Sequence, residues 1–204
     1  MAVCYIIGAG DVIPDGTKAE KGDYIICADG GYEYKNLLGR QADLVVGDFD
    51  SLGMVPDTES KVVHPCEKDD TDMALAVDEG FERGYTDFVL YGALGGSRID
   101  HSIGNIQLLA YIASKGARGE IRHGNSVLVA FSDGEIILPA DYKGYISVFS
   151  LTEKSEGVAI EGLRYTVEDF TMHYNRTRGL SNEFIGVQSC ISVRKGSLLI
   201  AYSR

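Results

Sequence analysis

Between Asp43 and Asp72 the chain carries nine acidic residues and only two lysines. At the centre of this window stands Val45-Val46-Gly47-Asp48-Phe49-Asp50-Ser51. In extended backbone, side chains two apart project to the same side, so Asp48 and Asp50 point together just past a strand end. Neighbouring carboxylates repel, and a hard cation such as Mg2+ removes that penalty by bridging them. The competing reading is a capped turn, which Asp and Ser also favour. Next comes Lys68-Asp69-Asp70-Thr71-Asp72, directly before a helical pattern. Asp70 or Thr71 alone is explained as a helix cap. Three aspartates with a lysine exceed what one cap needs, and Lys68 is placed to contact a phosphate chain that a metal also holds.

Two more loops have the same character. Gly92-Ala93-Leu94-Gly95-Gly96-Ser97-Arg98-Ile99-Asp100-His101 follows a strand-like run and opens a second helical pattern. Its glycines admit a ligand to the backbone, and the helix behind offers its N-terminus to an anion. Arg98 has the fork to grip a phosphate. Asp100 is open to two readings, metal ligand or helix cap, and His101 reads as an ordinary helix-start residue. Asp29-Gly30-Gly31 ends another strand and is by itself a turn.

The elements that must carry these loops have two textures. Strand-like runs at Val3–Ile7, Tyr24–Ala28, Leu44–Val46, Lys61–His64 and Phe88–Tyr91 alternate with helical patterns at Thr71–Arg83 and Asp100–Ser114. The first helix has Met73, Ala76, Val77 and Phe81 on one stripe; the second has Ile103, Ile106, Ala110 and Ala113 in register. Such alternation predicts an α/β domain with a mostly parallel, Rossmann-like sheet, whose ligands sit beyond the C-terminal strand ends. From Ser126 onward, runs at Ser126–Phe131, Glu135–Leu138, Tyr145–Leu151, Val158–Glu161, Gly186–Val193 and Ser197–Tyr202 are separated by turn residues, with no helix between them. This predicts an all-β sandwich or barrel. The expected domains are residues 1–123 and 124–204.

Bulk properties narrow the function. A net charge of −11 disfavours nucleic-acid binding, which draws on lysine and arginine. No apolar run is long enough for a membrane span. The start of the chain lacks the basic flank and cleavage site of a signal peptide, so the expected location is the cytoplasm. Cys4, Cys27, Cys66 and Cys190 are scattered without a CxxC pair, which predicts reduced thiols. Gly8-Ala9-Gly10 with Asp29 some twenty residues on imitates a dinucleotide fingerprint, but Ile13 takes the third glycine's place and Pro14 opposes a helix. The Walker pattern, GxSxG and HExxH are all absent.

Taken in order, Ala28-Asp29-Gly30-Gly31, Gly47-Asp48-Phe49-Asp50-Ser51, Lys68-Asp69-Asp70-Thr71-Asp72 and Gly96-Ser97-Arg98-Ile99-Asp100-His101 resemble the thiamine pyrophosphokinase family. Arg178-Gly179-Leu180-Ser181-Asn182-Glu183 and Val193-Arg194-Lys195-Gly196-Ser197-Leu198-Leu199 extend the likeness to the C-terminal region. The resemblance implies an N-terminal α/β domain for ATP, a C-terminal β-sandwich for thiamine, and a homodimer with sites between subunits. It implies that Asp48, Asp50, Asp72 and Asp100 form the Mg2+ and phosphate set, with Lys68 and Arg98 facing phosphate. Asp48, Asp50, Lys68, Asp72 and Asp100 become the catalytic candidates. Asp29, Gly30, Lys68, Asp69, Thr71 and Arg98 become the ATP contacts, and Ser181 and Asn182 the partners of the thiamine pyrimidine. The chain has no tryptophan, so any stacking on thiamine falls to tyrosine or phenylalanine.

The implied reaction is attack of thiamine's hydroxyl on the β-phosphorus of ATP, giving thiamine diphosphate and AMP. Such transfers rely on positioning and charge neutralisation. Three rivals stand beside it: another acceptor alcohol such as a pterin, a nucleotide or thiamine diphosphate sensor without turnover, and plain nucleotide hydrolysis.

Overall fold

Short β-branched runs in the first half become parallel strands. The structure, a computed structural model, describes residues 2–48, 60–63 and 69–204; among the candidates above, Asp50 and Lys68 lie outside the described residues. Two compact units are found, Met1–Leu108 with Ile121–Gly124, and Leu109–Glu120 with Asn125–Arg204. The fold class is mixed α/β, with mostly parallel pairing first and a separate antiparallel sheet later.

In the first unit, β1 (Cys4–Ile7), β2 (Tyr24–Ala28), β3 (Leu44–Gly47), β4 (Lys61–Val63) and β5 (Asp87–Tyr91) line up in the order β5-β1-β2-β3-β4. Every one of these pairings is parallel. Both faces of such a sheet are covered, which explains why β1 and β3 are buried along their whole length. Tyr5, Ile7, Ile25, Cys27, Leu38 and Val45 share one core cluster.

Helix α1 (Asp72–Glu82) starts where Thr71 accepts a hydrogen bond from the Ala74 N–H at 3.2 Å. It buries Met73, Ala76, Val77 and Gly80. Two aspartates are occupied by the frame. Asp23 accepts from the Val3 and Glu20 N–H groups, and Asp43 accepts from the Ile25 N–H at 2.8 Å while pairing with Arg40 at 2.7 Å. Asp43, the first residue of the acidic window, is therefore a structural residue at the N-terminal end of β3.

Helix α2 (Ile99–Ser114) turns differently from the expected stripe. It buries Ser102, Asn105, Leu108, Leu109, Ile112 and Ala113, whereas Ile103 is 54% exposed. Two polar residues point inward because they hold the loop before the helix, as described below. Strand β6 (Arg118–His123) follows.

The second unit is antiparallel. It contains β7 (Ser126–Ser132), β8 (Glu135–Leu138), β9 (Tyr145–Ser150), β10 (Lys154–Glu161), β11 (Val167–His173), β12 (Asn182–Glu183), β13 (Ser189–Ser192) and β14 (Ser197–Ser203). They form the rows β12-β9-β14-β7 and β11-β10-β13-β8. A single apolar cluster draws Val127, Ile146, Val148 and Ile200 from the first row and Val158, Ile160, Met172 and Ile191 from the second. Alternation with period two puts these residues on inward faces.

Candidate functional site: the C-terminal rim of the parallel sheet

Parallel pairing brings the ends of β1, β2, β3 and β5 to one edge, with Ile7 opposite both Cys27 and Tyr91, and Ala28 opposite Val46. Gly8, Asp29, Asp48 and Gly92 leave the sheet along this rim. Asp29 has a left-handed backbone (φ 44°) and opens a 3-10 turn, Asp29–Tyr34; aspartate is among the few side-chain-bearing residues that accept this conformation. A Cβ on Gly47 would stand 3.1 to 3.2 Å from the N, Cα and Cβ of Asp29. Glycine at 47 thus lets the two backbones close up, setting Asp29 beside the strand end that delivers Asp48. At Gly31 an added Cβ would reach 2.6 Å from the Ile7 carbonyl carbon, so the turn lies directly on the end of β1.

The loop after β1 is zipped onto the loop after β5. The N–H of Gly8 donates to Tyr91 O at 2.8 Å, that of Gly10 to Gly92 O at 2.8 Å, and that of Asp11 to Leu94 O at 3.0 Å. Gly92, Gly95 and Gly96 take φ values of 59°, 77° and 75°, which side chains resist. Helix α2 secures this loop from behind: Ser102 Oγ accepts from the Gly95 N–H at 3.2 Å, and Asn105 Nδ2 donates to Ala93 O at 2.8 Å. Both residues are only 6% exposed. A glycine loop held by buried polar side chains before a helix N-terminus is suited to an anion.

Charged candidates surround the loops. Arg98 and Asp100 form a forked pair, with Nη2 to Oδ2 at 2.6 Å. The Arg98 hydrogen bonds hold the Asp100 carboxyl down to about 2, and Asp100 in turn raises Arg98. Thr71 caps α1 and Asp72 lies in its first turn, while Asp69 is exposed ahead of it. Among the described residues no three His, Cys, Asp or Glu side chains cluster closely enough to hold a metal ion. The aspartates described here reach the rim from separate elements and do not form a closed cage.

A further set of residues fixes the loop after β1, and reading the sequence did not single them out. Tyr91 hydroxyl donates to both Asp15 oxygens at 3.1 Å. Arg122 donates to Thr17 Oγ1 at 3.0 Å and to Tyr91 Oη at 3.3 Å, and lies 3.6 Å from Asp15. Burial by itself would raise the Asp15 carboxyl; hydrogen bonds from Thr17 and Tyr91 together with Arg122 outweigh it and leave it below 3.8. Only the pairing of Gly8 with Gly10 hinted that this loop approaches another backbone.

In the second unit, Ser181 has a left-handed φ of 59°, and its N–H donates to Ser147 Oγ at 3.1 Å. Asn182 is 6% exposed. Its Oδ1 accepts from the N–H groups of Tyr165 and Glu183, both at 2.9 Å, and its Nδ2 donates to Tyr165 O at 2.7 Å. One Nδ2 hydrogen remains for other partners. Asn182 thereby clamps the backbone of Tyr165, a residue 59% exposed.

Comparison with known proteins agrees across the chain. Residues 17–120 match the family described as "Thiamin pyrophosphokinase, catalytic domain", and residues 135–198 match "Thiamin pyrophosphokinase, vitamin B1 binding domain". A thiamine pyrophosphokinase of Bacillus subtilis is 29% identical over 164 residues, covering 77% of this chain and 76% of that protein. The crystal structure of thiamine pyrophosphokinase from Bacillus subtilis superposes with a TM-score of 0.84 at 27% identity, over 98% of each chain. That of a thiamin pyrophosphokinase family protein from Enterococcus faecalis gives 0.82 at 27% identity, over 100% of this chain and 99% of that one.

Proposed function

We propose that this chain, which belongs to the thiamin pyrophosphokinase family, transfers a diphosphate group from ATP to the hydroxyl of thiamine. The products are thiamine diphosphate and AMP. Both family matches support this, in the same order as the two units, and so does the rim where Asp29 abuts the strand end carrying Asp48. We read the first unit as a Rossmann-like ATP-binding domain within residues 1–123, and residues 124–204 as a β-sandwich for thiamine. Soluble action in the cytoplasm, without nucleic acid or membrane, is part of the same reading.

In the proposed reaction the thiamine oxygen forms a bond to the β-phosphorus while the bond from that phosphorus to the α,β-bridging oxygen breaks. AMP leaves with the bridging oxygen. The hydroxyl proton needs an acceptor. One of the rim aspartates, Asp72 or Asp100, would take it. Gly92–Gly96 backbone and Arg98 orient the phosphate chain, with Asp29, Gly30, Lys68, Asp69 and Thr71 completing the nucleotide contacts. Ser181 and Asn182 position thiamine, Asn182 chiefly through its hold on Tyr165.

The donor set suits Mg2+: Asp48, Asp50, Asp72 and Asp100 offer hard carboxylate oxygens. Mg2+ is commonly held by one or two carboxylates plus substrate phosphates, which agrees with the open arrangement of the described aspartates. When bound it supplies charge neutralisation on the phosphate oxygens. A homodimer is also proposed. Ile99 is 73% and Ile103 54% exposed, one turn apart on α2, an apolar face that a second copy would cover. Sedimentation of wild type against Ile99→Lys/Ile103→Lys tests it, with a monomeric variant expected.

Purified protein with ATP, Mg2+ and thiamine should yield AMP and thiamine diphosphate in equal amounts. AMP without thiamine dependence would instead establish a hydrolase, and ligand-induced stabilisation without AMP a sensor.

A further inference from the structure

The second unit contains a hollow of about 490 Å³ lined by Phe170, Met172, His173, Arg176 and Arg178, with the threonines at 171 and 177 between them. No carboxylate is part of its lining. Among the described residues, neither Arg176 nor Arg178 belongs to an ion pair. This is unexpected in a chain of net charge −11, where most other arginines, such as Arg40, Arg83, Arg98, Arg118 and Arg194, do pair with carboxylates.

The backbone beneath the walls is fixed. The Arg176 N–H donates to His173 O at 3.1 Å, closing the turn after β11. Val148 N–H donates to Gly179 O at 2.8 Å, and a Cβ on Gly179 would fall 2.7 Å from Met172 Cε, so the segment is seated on β9 and on a buried methionine. The Arg178 guanidinium lies over the Phe170 ring, 5.7 Å from its centroid. A guanidinium stacked on an aromatic ring is held in orientation while its N–H groups remain free for planar or forked acceptors.

We infer that this hollow is an anion-binding site for the phosphate or diphosphate group of a small molecule, built wholly from the second unit. Two guanidinium forks, threonine hydroxyls and an imidazole N–H match the acceptor-rich oxygens of such a group. The volume exceeds that of a bare phosphate ion, and Phe170 offers an apolar wall for an attached organic part. The inference does not depend on the transfer reaction proposed above.

The test is calorimetric titration of the full chain with inorganic diphosphate and, separately, with thiamine diphosphate, in EDTA so that metal-bridged binding at the aspartate rim is suppressed. Wild type and Asp48→Asn should bind saturably, and R176Q/R178Q should bind at least about tenfold more weakly, with circular dichroism unchanged. R176K/R178K should recover part of the loss. Tighter binding of thiamine diphosphate than of inorganic diphosphate would identify an organic phosphate as the ligand; equal binding would identify the free anion. No saturable binding by wild type, or equal binding by a folded R176Q/R178Q protein, overturns the site.

Discussion

The α-carbon of Asp29 stands 3.1 Å from the point a Cβ on Gly47 would occupy. Two strand ends are thus held closer than a side chain at 47 would ordinarily sit, so Asp29 would have to give way. Gly47→Ala should separate them, costing about 1 to 3 kcal/mol of stability as overpacking does. It should also lower turnover by moving Asp29 and Asp48 apart. Urea unfolding and AMP release read the two effects independently, and unchanged values in both would remove Gly47 from the site.

Asp48→Asn should leave the fold intact and reduce turnover by at least ~100-fold, the scale of a lost electrostatic contact in phosphoryl transfer. Raising Mg2+ should restore part of it if the residue helps hold the ion. Near-normal turnover would exclude Asp48 as a ligand. Asp50→Asn carries the same expectation.

The Tyr91–Asp15–Arg122 cluster predicts a pH effect. Asp15 keeps its charge below the ordinary carboxyl value of 3.8, so the folded state gains from it above that value. The gain disappears as pH falls through the lower native value. Asp15→Asn should therefore destabilise the protein at pH ~7, and the gap to wild type should narrow as the pH falls below 3.8. Urea midpoints across that range decide it; a gap that widens in acid would contradict the assignment.

Glu120 is 2% exposed at its side chain and accepts from Arg118 at 2.9 Å and from Arg204 at 2.6 Å. Removing it deprives two guanidinium groups of charge-assisted hydrogen bonds, although both remain partly in water. Glu120→Ala should cost about 1 to 3 kcal/mol, seen as a lower melting temperature. Arg118→Met, whose side chain is 56% exposed, should cost much less.

How far the fold could be read in advance depends on local chemistry. Tyr24–Ala28 and Glu135–Leu138 match the observed strands residue for residue because apolar runs there are flanked by turn formers. β6 was missed because Arg118-Gly119-Glu120-Ile121-Arg122-His123 reads as polar; its alternation works only because Glu120 and Arg122 find distant charged or hydroxyl partners. β11 was missed because Glu168 and Asp169 interrupt it, the latter at φ 48° beside a register shift. At the strand ends, the glycine loop Gly92–Gly96 ahead of α2 was legible from spacing. Ser102 and Asn105 were not, since their inward turn is dictated by Gly95 and Ala93, loop groups whose need for partners no helical periodicity records.

The backbone zipper between residues 8–11 and 91–94 has a practical consequence for anyone altering nucleotide preference. The two loops share three backbone hydrogen bonds, so they will respond to substitution as one lip. A change introduced at Ala9 or Asp11 must be judged by what happens at Leu94 and Gly95, and compensating changes should be sought across the gap, outside the mutated loop.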